Sequence, residues 1–437
     1  MRKISESASS VDASASPRDD LASFHDERRL AVTNAIVKAV SVPVEKACRL
    51  LLMLVAAPAL GVARFGSYQF AFAATSMLAV CTDLGMSVWT TRALARDRTR
   101  ASAIVSTALR LRLLAAGPYL VIVTAAALVT GPGDAAWALE LLGLAALVNA
   151  VLDYFDAVFR GFERLGDEAR LNVARAAFTL AAGVVALRLR PTPGALAAGL
   201  LAAVTGTAGY GLWLLRRRYG LGFSRAPSVP GLGGEVIAEA LPLWLATLLS
   251  LLYFKGDVVI LKIFSTDAEI GAYTAAYKVF EGLMIVPAVV LAASFTPLAR
   301  AKTDRARQRR WERGLVALLL ALGVLVGGAV YLQSPRIVAL VYRGGFARAV
   351  PSLRVLAGAV PILFLNFGLT HFLIARDLER RNLAFAGVML VVNVTANLLV
   401  VPRQGGPGAA WATLLTEVVL TVCCLTALMR RRALQPT

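Results

Sequence analysis

Ionisable side chains interrupt several long apolar runs of this sequence, and their types could bind a charged ligand. Glu45, Lys46 and Arg49 lie in the first run, where Glu45 and Arg49 are four residues apart and share one helical face. Charges inside long apolar segments are costly, so they usually face a water-filled cavity or an oppositely charged partner. The later runs contribute Asp83, Lys255, Asp257, Lys278 and Glu281.

The cations of this set predict a binding site for an anionic headgroup, best matched by a pyrophosphate, because Lys and Arg are natural phosphate partners. These cations are Arg49, Lys46, Lys255 and Lys278. The carboxylates would balance that charge or carry a coupling proton or sodium ion, and they are Glu45, Asp83, Asp257 and Glu281. In a structural alternative, Glu45–Arg49, Lys255–Asp257 and Lys278–Glu281 simply neutralise one another and lock helices together. The sequence leaves both interpretations open.

The elements that must position these residues are transmembrane helices. Of the 437 residues, 58% are hydrophobic and only 17% are charged, and the mean hydropathy is +0.67. A spanning helix needs roughly 20 apolar residues, so the runs predict about twelve transmembrane helices and an all-α polytopic membrane protein. The predicted helices cover 33–60, 66–90, 110–130, 136–158, 169–188, 194–214, 238–262, 270–296, 313–332, 351–374, 382–401 and 407–428.

The basic residues predict how these helices are oriented. The formal net charge is +19, and most Lys and Arg fall in the two tails and in the even-numbered loops. Loops rich in Lys and Arg stay in the cytoplasm, so we expect both termini there and an even number of helices. The Ser-rich segment 1–32 reads as a disordered cytoplasmic tail. No basic segment belongs to a soluble module, which argues against a nucleic-acid partner.

A short motif occurs once in each half of the chain. Phe65-Gly66-Ser67-Tyr68 and Ile270-Gly271-Ala272-Tyr273 each open a predicted helix, about 205 residues apart. This repeat predicts two six-helix lobes in the same orientation. The predicted units are the tail 1–32, an N-lobe at 33–215, a Pro/Gly-rich cytoplasmic linker at 216–237, a C-lobe at 238–430 and a cytoplasmic tail at 431–437.

Enzyme signatures are missing from the sequence. It contains no Walker A loop, no HExxH element and no GxSxG element. Its four cysteines and two histidines lack the spacing of metal ligands. We therefore expect a protein without catalytic residues, cofactor or metal, and not an enzyme.

Several of these segments carry a family resemblance. In the first half they are Arg64-Phe65-Gly66-Ser67-Tyr68, Asp83-Leu84-Gly85-Met86 and Arg92-Ala93-Leu94-Ala95-Arg96. In the second half they are Leu241-Pro242-Leu243, Tyr253, Asp257, Gly271-Ala272-Tyr273, Lys278 and Pro297. Over about residues 33 to 430 the chain resembles bacterial polysaccharide (O-antigen type) flippases, which share a superfamily with MATE multidrug exporters and lipid II flippases.

This resemblance implies a MATE-like fold, with two six-helix lobes around a V-shaped cavity, and alternating access. Arg49 best matches the cavity cation that binds the lipid pyrophosphate in flippases, whereas Glu45 and Lys46 beside it depart from the family pattern. The function implied is translocation of an undecaprenyl-pyrophosphate-linked oligosaccharide across the bacterial inner membrane for polysaccharide biosynthesis.

The expected partners are that lipid-linked glycan, membrane lipids, a coupling proton or sodium ion, and a complex with a polymerase or glycosyltransferase. Two alternatives remain open. A MATE-type ion-coupled exporter of cationic compounds should favour acidic cavity residues, and a non-transporting scaffold of a polysaccharide assembly complex would not need the intramembrane charges.

Overall fold

Helices make up almost all of the chain that the computed structural model describes, namely residues 37, 41–221, 232–300, 305–343, 345–375 and 378–433. No strand occurs within these ranges, so the predicted all-α class is confirmed. The predicted tail 1–32, part of the predicted linker (222–231) and residues 434–437 lie outside the described residues. Within the predicted linker 216–237, one helix continues to Tyr219 and the next begins at Leu232.

The helices are numbered here in chain order. They are α1 (41–60), α2 (Val62–Asp83), α3 (Met86–Arg96), α4 (Ala101–Thr130), α5 (Asp134–Gly161), α6 (Leu165–Leu189), α7 (Pro193–Tyr219), α8 (Leu232–Phe264), α9 (Asp267–Leu283), α10 (Ile285–Arg300), α11 (Arg305–Tyr342), α12 (Ala349–Ala375) and α13 (Glu379–Ala433).

Two predicted helices are each broken in the structure. The helix predicted at 66–90 stops at Asp83 and resumes at Met86, because Leu84 and Gly85 have φ angles of 45° and 76°. Left-handed backbone at two successive residues cannot continue a right-handed helix. The helix predicted at 270–296 is likewise divided, between Leu283 and Ile285.

Nine of the helical segments in the described ranges are long and apolar enough to cross a membrane. One of them, Ala384–Met429, contains a kink at Gly405, whose φ is 58° and ψ is −132°. That kink separates the two helices that the sequence predicts at 382–401 and 407–428. The chain is therefore a multi-pass membrane protein, whereas the total of twelve helices stays a prediction.

Many large apolar side chains of the helices are exposed, and a set of polar side chains is buried between the helices. Val129 is 89% exposed and Leu340 is 84% exposed, whereas Asn397 and Thr416 are fully buried. A soluble helix shows the opposite distribution, so this pattern is that of helices whose outer face contacts lipid.

Local sequence sets where several helices start and stop. The Thr192 hydroxyl accepts a hydrogen bond from the Ala195 amide at 3.2 Å, and Pro193 occupies the first position of α7. Thr266 caps α9 in the same way, through the Glu269 amide at 3.4 Å. Side-chain oxygens at these positions satisfy amides that have no partner inside the helix.

Helix α2 contacts helices from both halves of the chain. It packs on α5 and α4, and also on α9 and α8. At the crossing with α9, Gly66 faces Gly271, and a Cβ added to either glycine would clash with backbone of the other helix. A Cβ added to Gly85 would likewise clash with the Ala240 carbonyl of α8.

Candidate binding site

Arg49 lies on α1, where it forms an ion pair with Glu45. The Arg49 guanidinium is 2.9 Å from the Glu45 carboxylate, one helical turn earlier. The side chain of Arg49 remains 63% exposed, so the pair does not bury it. The four-residue spacing predicted this shared face correctly.

Three cations from three helices are close enough for their charges to interact. Lys255 of α8 lies within electrostatic range of Lys278 of α9, of Arg49 and of Glu281. Glu281 in turn lies within range of Arg49 and Lys255. We refer to Arg49, Lys255 and Lys278, with the carboxylates of Glu45 and Glu281, as the cationic group. Residues separated by about 200 positions in sequence are therefore brought to one place.

Lys255 is half-buried and contacts an aromatic ring. Its ammonium nitrogen lies 4.7 Å from the centre of the Phe72 ring on α2. Among the described residues no carboxylate is within ion-pair distance of it. The ring face attracts the ammonium group electrostatically and so helps to position it.

The third cation, Lys278, pairs with a carboxylate of its own helix. The Lys278 ammonium is 2.5 Å from Glu281. Asp257 is within electrostatic range of Lys278, but it is 5% exposed and accepts a hydrogen bond from the Tyr273 hydroxyl. Lys255 and Asp257, two positions apart on α8, therefore do not neutralise each other.

The charges of the cationic group do not cancel. Three cations face two carboxylates, because Asp257 is committed to Tyr273 in the packed interior. An excess of positive charge beside low-dielectric walls attracts an anion and strengthens its interaction with each donor. The arrangement is suited to a phosphate or pyrophosphate.

Three of the eight residues predicted for the site lie outside this group, namely Asp257, which bonds to Tyr273, and also Asp83 and Lys46. The Asp83 carboxylate forms an ion pair with Arg112 of α4, and the Ser87 hydroxyl donates to it at 2.6 Å. Arg112 is buried, donates to the Ala150 carbonyl at 2.6 Å and stacks on Tyr154. Lys46 is exposed on α1, one position from Glu45 and so on a different face.

The sequence interpretation missed a polar cavity that the structure shows. Its volume is about 310 Å³, and it lies between α1, α5 and α6. Asp156 of this cavity is buried, although it lies near the end of α5. Only the packing of α6 on α5 reveals this, because it brings Arg175 against the carboxylates of Asp153 and Asp156. The charged side chains that line the cavity are Glu45, Asp153, Asp156, Arg160, Glu168 and Arg175.

Comparison with known proteins gives a family and a fold. Residues 31–298 match the family model described as "Polysaccharide biosynthesis protein". The "Probable low-salt glycan biosynthesis flippase Agl15" of Haloferax volcanii is 26% identical over 301 residues, which are 64% of this chain and 59% of that protein. The chain thus spans about three fifths of the length of that curated relative.

Solved structures share the fold at low sequence identity. A multidrug resistance MATE family transporter of the MOP superfamily, in an inward-facing conformation, has a TM-score of 0.73 at 16% identity, over 92% of this chain and 98% of that one. The lipid II flippase MurJ, in an inward closed conformation, has a TM-score of 0.69 at 12% identity, over 91% and 87%. The expected MATE-like fold is confirmed.

Proposed function

The chain belongs to the polysaccharide biosynthesis protein family, and on that premise we propose that it is a flippase for a pyrophosphate-linked lipid oligosaccharide. The observation that carries this proposal is the convergence of Arg49, Lys255 and Lys278 from α1, α8 and α9. Phosphoryl groups are the ligands that such cations bind best. The similarity to Agl15, which is described as a probable glycan biosynthesis flippase, also supports the proposal of a flippase.

The proposed substrate is an undecaprenyl-pyrophosphate-linked glycan, moved between leaflets of a bacterial inner membrane, with both termini of the protein in the cytoplasm. Its pyrophosphate would contact the cationic group, while the sugars occupy the space between the helices. A lobe at 33–215 and a second at 238–430 would rock against each other to open the site to each side in turn. Binding of the headgroup to the cationic group can drive this rocking motion only if the binding energy differs between the two conformations, each open to one side of the membrane.

The chemistry in this scheme is translocation without bond cleavage, so the chain needs no catalytic residue. A protein of this fold could instead export drugs, but cationic drugs would be repelled by the excess positive charge at Arg49, Lys255 and Lys278. A scaffold protein without transport activity would not need a costly charge such as Arg49 in a membrane protein. The Arg49 side chain stays exposed although it pairs with Glu45.

The proposal is tested by replacing Arg49 in the host. We expect Arg49→Ala to lower surface polysaccharide strongly and to cause lipid-linked glycan to accumulate, at normal protein level in the membrane. Arg49→Lys should retain part of the function, because a single ammonium keeps the charge but loses the two-pronged contact. Normal polysaccharide with Arg49→Ala, or loss of drug resistance as the sole defect of a deletion strain, would refute it.

A further inference from the structure

Tyr68 of α2 places a buried hydroxyl without a hydrogen-bond partner beside the cationic group. The residue is fully buried, and its Oη forms no hydrogen bond with any described residue. Its ring stacks on Phe72, with the ring centres 6.3 Å apart, and the Lys255 ammonium lies against that same Phe72 ring. Tyr68 is also within electrostatic range of Arg49. Because an unpaired hydroxyl in a packed interior is costly, this one calls for an explanation.

The second half of the chain provides an internal comparison. Tyr68 and Tyr273 occupy the same place in the motif that occurs in each half, about 205 residues apart. The Tyr273 hydroxyl donates a hydrogen bond to Asp257 of α8. The same offset of about 205 residues, counted back from Asp257, leads to Leu52 of α1. Leu52 is buried, and its side chain cannot accept a hydrogen bond. The second tyrosine therefore has a partner inside the protein that the first one lacks.

The chemistry around Tyr68 indicates what its missing partner is. The three cations of the cationic group donate hydrogen bonds and cannot accept them. The two carboxylates, Glu45 and Glu281, already pair with Arg49 and Lys278. A ligand that joins these cations and also satisfies a phenol must be rich in acceptor atoms. A phosphoryl group meets this requirement, since each of its charged oxygens can accept several hydrogen bonds.

We propose that the Tyr68 hydroxyl donates a hydrogen bond to a phosphoryl oxygen of the pyrophosphate headgroup, which makes Tyr68 a further binding residue. The inference rests on the proposed function. Oη is inaccessible in this conformation, so the bond forms only after the helices around Tyr68 have moved. Rocking of the two halves supplies such a movement, because α2 packs on helices of both.

This role makes binding of the headgroup depend on conformation. The hydroxyl is unpaired in the conformation described here and becomes paired in the one that holds the headgroup. Its contribution to the binding energy therefore differs between the two conformations, and only such a difference lets a ligand shift their equilibrium. An ion pair that is equally available in both conformations cannot have this effect.

Tyr68→Phe tests the proposal, because it removes the hydroxyl and keeps the ring that stacks on Phe72. Calorimetry measures binding of a short polyprenyl pyrophosphate, farnesyl pyrophosphate, to the purified full-length protein, and we expect the affinity to fall by a factor on the order of 10. The thermal midpoint of the ligand-free protein in detergent should not fall, because the hydroxyl has no bond to lose. A structural bond to Oη, including one to a buried water, would instead give a lower midpoint.

Tyr342→Phe is the matched control. Tyr342 is also buried, and its hydroxyl donates to the Ala275 carbonyl of α9 at 2.8 Å. The same chemical change therefore removes an existing hydrogen bond, so we expect a lower thermal midpoint and an unchanged affinity for farnesyl pyrophosphate. The two variants should thus show opposite patterns.

The outcomes separate this inference from the proposed function. Weaker binding with an undiminished midpoint supports the role of Tyr68. Binding that depends on Arg49 but is as tight in Tyr68→Phe as in the wild type overturns that role alone, and so does a midpoint that falls as far as that of Tyr342→Phe. Binding that is absent, or that is indifferent to Arg49→Ala, overturns the flippase proposal and the role of Tyr68 with it.

Discussion

Gly66 of α2 and Gly271 of α9 touch backbone to backbone, although about 205 residues separate them in sequence. A Cβ built on Gly271 would clash with the Val62 carbonyl and lie 3.1 Å from the Gly66 amide nitrogen. Both glycines occupy the same place in the repeated motif of each half. Equivalent positions of two related halves touch where the axis between the halves passes beside them, so this contact supports the proposed repeat.

Replacing Gly271 by Ala should force α2 and α9 apart. The obstructing atoms are backbone atoms, which cannot rotate away, so we expect a loss of about 1–3 kcal/mol, seen as a lower thermal midpoint in detergent. Gly206→Ala on α7 is the matched control, because a Cβ there meets no atom within 4 Å. Equal midpoints for the two variants would contradict a tight crossing.

The ion pair between Asp83 and Arg112 should be structural. Because Arg112 is buried, Asp83→Asn leaves an uncompensated charge and should cost about 3–5 kcal/mol, whereas the double variant with Arg112→Met should recover much of that loss. Glu163→Gln breaks an exposed pair with Arg98, and should cost less than about 1 kcal/mol. Thermal midpoints of all three variants check this ranking, and a harmless Asp83→Asn would refute it.

The sequence predicted the helices far better than it predicted these pairs. Apolar length locates a span, but periodicity contains no signal for the left-handed break at Leu84 and Gly85. Asp83 was grouped with the cavity because its partner, Arg112, lies on another helix. Spacing did predict Glu45–Arg49, and it could have excluded Lys255–Asp257, since residues two apart on a helix do not face each other.

Glu281→Gln should tighten binding of a pyrophosphate and yet slow transport. The substitution frees Lys278, now held at 2.5 Å, and raises the positive charge of the cationic group by one. We expect affinity for farnesyl pyrophosphate to rise several-fold, on the order of 1 kcal/mol, while release becomes rate-limiting. Calorimetry and a transport assay measure the two effects, and weaker binding would contradict the electrostatic role.

Lys255→Met should weaken headgroup binding without unfolding the protein. The lost cation lies against Phe72 and has no paired carboxylate among the described residues, so its removal leaves no buried opposite charge behind. We expect a loss of about 1.5–3 kcal/mol in binding. The control is Lys262→Met on the same helix, where Lys262 pairs with Asp267 at 2.5 Å. Equal affinities for both variants would remove Lys255 from the site.

The most direct test of the central claim is transbilayer movement in liposomes that contain only the purified protein. A fluorescent polyprenyl-pyrophosphate lipid is placed in both leaflets, and its accessibility to an external quencher is followed over time. The account predicts rapid movement with the wild type and at least about a tenfold loss with Arg49→Ala, equal to roughly 1.4 kcal/mol in the barrier. Movement at the wild-type rate by a folded Arg49→Ala protein would contradict it.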